Sequence, residues 1–387
     1  MRILILASDA WYFWAHRLPI ARALRESGAE VLVMTVAGGK SVAVEKEGFH
    51  IIPWRVSRGG LNPLRETSGF LQVVGAYRRV RPDLVHHVGL KPIVYGGLAA
   101  RFCGPIPSIN AFSGLGHLFA SAGLKMRLLR RLVLVLLRHA LSIESARCVF
   151  ENPDDHSLFV NAKVVPSRRA VVIRGAGVNL REFSPRPESG GLPIVLLPSR
   201  MLWEKGIGDF VKAAEKLRAQ GISARFVLVG SPDPANPTSI PETQLSAWRE
   251  SGVVEWWRQR DDMSSVYAQS QVVCLPSYRE GIPRVLIEAA ASGRAIVTTD
   301  SPGCREVVRQ GENGLLVPPR SPQALADALA VLLADAGLRA QMGARGREIA
   351  AREFSEERVV QETMSVYRDL LGVRWPRVAL ESRRSEC

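Results

Sequence analysis

Short apolar runs alternate with stretches of helical period along almost the whole chain, and no other feature narrows the possible folds as much. The first half carries such runs at Ile3–Ala7, Val31–Val36, Leu84–His87, Ser108–Asn110, Cys148–Glu151 and Val171–Arg174. The second half carries them at Ile194–Ser199, Arg225–Gly230, Gln271–Pro276 and Ala295–Thr299. Helical periods fill the gaps, as at Ala15–Ser27, Ile207–Gln220, Arg284–Ser292 and Pro322–Leu333. Strand and helix alternating at this spacing predict parallel sheets with helices on both faces. The fold class is therefore α/β. A chain of 387 residues has room for two such domains. The segment Phe183–Leu192, "FSPRPESGGL", has two prolines, two glycines and no apolar period, and reads as the linker between them. The expected layout is a first Rossmann-like domain at 1–185, a second at 193–354, a helix at 355–372 and a loosely ordered tail at 373–387. Two doubly wound halves would face each other across a cleft, with ligands at the carboxyl ends of the strands.

Charge separates the same two halves. The net charge of +14 lies entirely in residues 1–187, which hold 26 basic and 12 acidic side chains; residues 188–387 hold 25 of each. A basic first half implies an anionic partner for that half. Cys103, Cys148, Cys274, Cys304 and Cys387 form no CxxC pair, which fits scattered thiols in a reducing compartment rather than a zinc site or a disulfide framework. The N-terminal apolar run is too short for a secretory signal, and no uninterrupted run approaches the ~20 residues that span a bilayer. The expected location is cytoplasmic.

In the second half, "PSRMLWEKG" places Arg200 at a strand end and Lys205 just before a helix that Gly206 opens. Two cations beside a helix N-terminus suit an anion, because side-chain charge and helix dipole add. The plain alternative is a surface arginine and lysine. In "EGIPRVLIEAAASG", Glu280 follows a strand and Glu288 lies on an otherwise apolar helix, where a lone carboxylate is costly to bury. Glu288 either faces solvent or a structural arginine, or binds a vicinal diol such as a ribose. Gly281 and Ile282 offer backbone N–H groups beside Glu280. Together these features suggest a nucleotide-diphosphate ligand. Asp154-Asp155 and Asp261-Asp262 are adjacent pairs without D-x-D spacing, so no metal site is expected and the cations would carry the leaving-group charge.

The run Arg200…Lys205, then "LPSYREGIPRVLIEAAASGRAIVTTDSPGCREVV" and "NGLLVP", resembles glycosyltransferase family 4, whose fold is GT-B. The likeness covers most of residues 190–370. "AHRLPIARALRESG" and "FSGLGHLF" resemble the bacterial branch acting on polyprenyl-diphosphate-linked glycans. The resemblance implies a retaining hexosyltransferase that uses a nucleotide-sugar, UDP-linked, as co-substrate, with no cofactor and no essential metal. By position, Arg200 and Lys205 bind the diphosphate, Glu280 contacts the donor sugar with Gly281 and Ile282, and Glu288 binds the ribose. The final helix would cross back to the first domain. The sequence departs from the family after its first strand, where "SDAWYFWAHR" replaces a glycine-rich loop. His16 and Arg17 are candidates for the acceptor side. His117 is the first-domain candidate at the reacting centre, with a structural histidine as the alternative.

Leu124–Leu141 holds Lys125, Arg127, Arg130, Arg131 and Arg138 around an apolar block. That pattern fits a helix lying on an anionic membrane surface, or a core-facing helix with a basic outer side. Zinc-finger, RNA-recognition and helix-turn-helix patterns are absent, so nucleic acid is not an expected partner. "GLGHLF" lacks the third glycine of a dinucleotide fingerprint, which argues against a nicotinamide enzyme. The expected function is transfer of a hexose or N-acetylhexosamine to a lipid-linked saccharide at the inner face of the cell membrane. The alternatives are a sugar-nucleotide epimerase of the same fold and a non-catalytic nucleotide-sugar-binding module.

Overall fold

A computed structural model describes residues 1–56, 62–115, 123–234 and 236–375. The chain divides into two compact units. Of the described residues, the first contains those within 1–113, 123–176 and 359–375; the second contains 114–115 and those within 177–358.

In the first unit the strands are β1 (Arg2–Ala7), β2 (Glu30–Thr35), β3 (His50–Pro53), β4 (Leu84–Val88), β5 (Ser108–Phe112), β6 (Ala146–Phe150) and β7 (Ala170–Val172). Every adjacent pair is parallel, in the order β3-β2-β1-β4-β5-β6-β7. The central strands read as continuous apolar runs because both faces are covered. Ile3 through Ala7 are completely buried, and each of the four larger side chains, Ile3 to Leu6, contributes about 1.5–3 kcal/mol by leaving water. The first helical region differs from the expected Ala15–Ser27. It is two helices, Ala10–His16 and Leu18–Glu26. The Asp9 carboxylate accepts from the N–H of Trp11 at 2.7 Å and of Tyr12 at 3.3 Å, so the first helix starts earlier. Pro19 stands in the first turn of the second, and the chain turns between them at Arg17.

In the second unit the strands are β8 (Ile194–Pro198), β9 (Arg225–Val229), β10 (Glu255–Trp256), β11 (Val272–Leu275), β12 (Ala295–Thr299) and β13 (Gly314–Val317). They form a second parallel sheet in the order β10-β9-β8-β11-β12-β13. Both sheets reverse direction of winding beside their first strand. That reversal marks where ligands bind in such sheets, at the strands' carboxyl ends.

The segment 183–192 is not a free linker. Phe183 is buried against Tyr267. Arg347 donates to the Phe183 carbonyl at 2.7 Å, and Arg294 to that of Arg186 at 2.8 Å. Glu188 pairs with Arg339 at 2.8 Å. Arginines from distant parts of the second unit satisfy carbonyls that a proline- and glycine-rich strap leaves unpaired. The division between the units falls earlier, between Ala176 and Gly177. The helix Glu356–Leu371 buries Val359, Tyr367 and Leu371 in the core of the first unit. Cys148, Cys274 and Cys304 are buried, Cys103 is half-buried, and all four are free thiols. Residues 376–387 of the tail, with Cys387, lie outside the described residues.

Candidate active site

Of the candidate residues of the second half, Lys205 and Glu280 are brought together, where the turn after β8 lies against the loop after β11, while Arg200 and Glu288 each hold other partners. After β8 the chain makes a single 3-10 turn, Trp203–Lys205, and then the helix Ile207–Ala219. Gly206 caps that helix at φ +72°. A Cβ there would strike the Pro276 carbonyl, so the turn can lie against the loop after β11 only with glycine. That loop is tied to the turn by Tyr278 N–H to Glu204 O at 3.0 Å.

This contact brings Lys205 to Glu280. Lys205 Nζ lies 2.5 Å from Glu280 Oε1, with the two side chains only 15% and 12% exposed. The same oxygen accepts from Ser277 Oγ at 2.6 Å. The hydroxyls of Thr299, the last residue of β12, and of Ser301, two residues further on, both donate to the Ser277 carbonyl, the latter at 3.1 Å. Glu280 N–H donates to Pro302 O at 3.1 Å, and Gly303, at φ +82°, packs its Cα against the carbonyls of Glu280 and Gly281. Glu280 is thus held from both its side chain and its backbone. Ile282 is buried in the core, so only its backbone is placed to meet a ligand, beside Gly281.

Arg200 is half exposed and pairs with Asp233 at 2.7 Å. Asp233 follows β9 and was not expected; nothing in its local pattern marks it, because the pairing is made by β8 lying beside β9. Tyr278 is a further unexpected member. Its hydroxyl donates to Asp209 at 2.9 Å, and the Arg320 guanidinium lies 4.3 Å from its ring centre. Burial, with Asp209 beside it, pushes the Tyr278 phenol up to about 12, so it is a neutral hydrogen-bonding group at physiological pH. The hydroxyls of "PSYREG" were the available signal for both Ser277 and Tyr278.

Glu288 lies on the helix Arg284–Ala291 and is 7% exposed. Its Oε1 accepts from Arg284 Nε at 2.8 Å, and its Oε2 lies 3.0 Å from the Tyr267 hydroxyl. Burial pushes its carboxyl above the usual carboxylate range, and the Arg284 charge opposes that shift. The structural-arginine reading of Glu288 is therefore present in the ligand-free chain, one helical turn away.

In the first unit, His16 stacks on Tyr12 with ring centres 4.2 Å apart, and Arg17 is 4% exposed. His117 lies outside the described residues. Among the described residues no group of three or more His, Cys, Asp or Glu is arranged to hold a metal ion.

Comparison with known proteins places this geometry. Residues 192–335 match the family model "Glycosyl transferases group 1", and residues 2–147 match "Glycosyl transferase 4-like". An N,N'-diacetylbacillosaminyl-diphospho-undecaprenol alpha-1,3-N-acetylgalactosaminyltransferase from Campylobacter jejuni is 28% identical over 381 residues, covering 95% of this chain and 98% of that protein. A glycosyltransferase from Rickettsia africae superposes with a TM-score of 0.76 at 17% identity, over 96% of this chain and 98% of that one. Anabaena HepE, solved with UDP and glucose, superposes with a TM-score of 0.75 at 18% identity, over 95% and 99%. Two parallel Rossmann-like sheets with these neighbours define a glycosyltransferase of the GT-B type. The chain belongs to the group 1, family 4-like glycosyltransferases.

Proposed function

We propose that this chain transfers a hexose or N-acetylhexosamine from a nucleotide-diphosphate donor, UDP-linked, to a polyprenyl-diphosphate-linked saccharide, with retention and without an essential metal. The observation that carries the donor half is the Lys205–Glu280 pair, set beside the Gly206-capped helix with Arg200 on the same strand end. Lysine has three N–H donors. It can keep Glu280 while a second hydrogen bond goes to a phosphate oxygen. Arg200 can exchange Asp233 for the same diphosphate. Glu280, fixed by Lys205 and Ser277, accepts from donor-sugar hydroxyls, and Glu288 from the ribose.

In the reaction the bond from the anomeric carbon to the diphosphate oxygen breaks as a bond from an acceptor hydroxyl oxygen forms on the same face. The hydroxyl proton leaves with the departing diphosphate, so the products are the glycoside and the nucleoside diphosphate. The transition state is oxocarbenium-like. Cations placed at the leaving group stabilise the charge that develops there more than they stabilise the bound donor. The UDP donor and lipid-linked acceptor rest on what HepE was solved with and what the Campylobacter relative is named for.

The test is a melting series with UDP, GDP and ADP followed by transfer to a lipid-linked saccharide. A ligand that binds the native state raises its melting temperature by mass action. A shift with UDP and a glycosylated product support the reading; an epimerised sugar-nucleotide, or binding without turnover, favours one of the alternatives. Glu288→Gln separates the two readings of that residue. The folded carboxyl titrates above its ordinary value, so its stabilising effect is full at low pH and is lost as pH rises through the folded value. A neutral glutamine therefore leaves the ligand-free melting temperature unharmed at pH 7. Loss of a charge-assisted bond to the ribose costs about 1.5–3 kcal/mol, so the UDP Kd is expected to rise roughly 10- to 150-fold. An unchanged UDP Kd would leave Glu288 a purely structural partner of Arg284.

We also propose that the first unit rests on anionic lipid. No helix among the described residues is long and apolar enough to cross a membrane. The helix Leu124–Ala140 exposes Leu124, Leu128, Leu132 and Val135 along one side, at 44–69% exposure. Arg127, Arg130, Arg131 and Arg138 share that helix. An apolar stripe among arginines suits an interfacial helix. Leu128→Glu with Leu132→Glu is expected to lower binding to phosphatidylglycerol vesicles tenfold or more in sedimentation. Both side chains are already in water, so the melting temperature is expected to hold. Equal binding by the double variant would remove this surface from the reading.

A further inference from the structure

A second polar constellation lies wholly within the first unit, at the carboxyl ends of its strands. A cavity of about 10 Å³ there is lined by Arg17, His86, Glu151 and Thr363 among others. Arg17 joins the helices Ala10–His16 and Leu18–Glu26, His86 is in β4, Glu151 follows β6, and Thr363 is on the helix Glu356–Leu371. Arg17, His86 and Glu151 are 4%, 1% and 6% exposed.

Two nitrogens on this wall are buried with no hydrogen-bond partner among the described residues, Arg17 Nε and His86 Nε2. In folded proteins most buried polar groups are paired, because an unmade hydrogen bond keeps its full desolvation cost. His86 Nδ1 lies 2.6 Å from the Tyr367 hydroxyl, which fixes the ring, and Arg17 Nη1 donates to His16 O at 3.1 Å. Both side chains are therefore held in place, and the space they line admits one oxygen atom. A single water fits a space of this size, and a ligand oxygen that keeps the same hydrogen bonds replaces such a water at little cost.

The charge of the wall selects the ligand class. Arg17 and Glu151 together sum to zero, and burial with the Arg17 charge nearby holds His86 well below the usual histidine range, hence neutral. A phosphoryl group brings several anionic oxygens, for which this wall lacks a net positive charge. A sugar hydroxyl both donates and accepts, and it presents one oxygen. Next to Arg17 in sequence, the His16 ring stacks on Tyr12, and the Trp11 ring, half exposed, meets His16 edge-on with centres 6.3 Å apart. Aromatic rings of this kind give a sugar ring an apolar face to lie on.

We infer that Arg17, His86 and Glu151 form a saccharide-recognition pocket that receives one hydroxyl oxygen of the acceptor's sugar. This rests on the transferase reading above and assigns Arg17 and His86 as specificity-determining residues of the first unit.

The test uses the full chain saturated with UDP and the methyl α-glycosides of glucose, N-acetylglucosamine and N-acetylgalactosamine, read by saturation-transfer NMR. At least one glycoside is expected to give signal. Its affinity is expected to fall tenfold or more in Arg17→Gln and in His86→Gln, while the UDP melting shift stays as in the wild type. Arg17→Lys keeps the charge but lacks Nε, and is expected to lose the glycoside as well. The inference is overturned if glycoside signals persist in both glutamine variants. It is equally overturned if inorganic pyrophosphate, and no glycoside, binds in an Arg17-dependent way, or if a wild-type chain that shifts with UDP binds no glycoside. Should Arg17→Gln fail to fold, His86→Gln carries the decision. A wild-type chain with no UDP shift is a different result: it removes the transferase reading, and this one with it.

Discussion

Lys205→Ala is expected to lower kcat by about 10²–10³, the usual effect of removing one group that meets charge developing in a transition state. UDP affinity is expected to fall by much less, because the bound ground state uses the same cation less strongly. The substitution also strands Glu280, which has little solvent to turn to. Breaking a fully buried ion pair costs ~3–5 kcal/mol; this pair keeps some solvent contact, so about 1–3 kcal/mol is expected. Glu280→Gln in the Lys205→Ala background separates the two losses. It should restore the melting temperature and leave turnover low. Steady-state kinetics and melting curves on the three chains decide this. If turnover in Lys205→Ala stays within a few-fold of wild type, Lys205 does not support the leaving group. Lys205→Arg is not expected to rescue, since a planar fork does not place its charge where the ammonium sits.

Gly303→Ala is expected to give a large loss of stability at the site. Gly303 has φ +82° and ψ −44°, which side-chain-bearing residues occupy at a cost of ~1–3 kcal/mol. Its added Cβ would press on the Gly281 carbonyl and lie 2.7 Å from the Glu280 carbonyl. Backbone atoms cannot turn aside as a flexible side chain does, so overpacking adds about 1–3 kcal/mol. The sum, about 2–6 kcal/mol, corresponds to a fall of roughly 4–24 °C in melting temperature at ~2–4 °C per kcal/mol. Because the strain falls on the segment carrying Glu280, the UDP shift should shrink with it. A variant that melts as the wild type does and binds UDP normally would show that this loop relaxes freely.

The strands that the sequence hid are informative. His50–Pro53, Glu255–Trp256 and Gly314–Val317 all lie at the edges of their sheets. Edge strands here run two to four residues, too short for a period to show, and they exist because a neighbouring strand offers a ladder. The strap at 183–192 is the converse case. Its composition is that of a linker, and it is held in place by Arg294, Arg339 and Arg347, each more than a hundred residues away in sequence. Short-range pattern carries no trace of such a partner.

At the candidate site the division is similar. Arg200, Lys205, Glu280 and Glu288 were legible because each sits at a strand end or on an apolar helix, where its residue type is conspicuous. Asp233 and the Gly303 support were not. They depend on β8 lying beside both β9 and β11, and β11 beside β12. The buried nitrogens of Arg17 and His86 were hidden for the same reason: His86 stands within an apolar run whose chemistry appears only once β1, β4, β5 and β6 are side by side.

By itself the sequence determined that the chain makes parallel sheets flanked by helices, because buried strands need uninterrupted apolar runs and parallel neighbours need a crossover between them. It also determined which cations and carboxylates stand at strand ends. Only the tertiary structure decided that Lys205 holds Glu280, that Arg284 and Tyr267 hold Glu288, and that Arg17 and His86 share one cavity. Those pairings depend on distances of about 3 Å between residues up to tens of positions apart, and such distances are set by strand order and by which carbonyls and side chains remain to be satisfied once the sheets have closed.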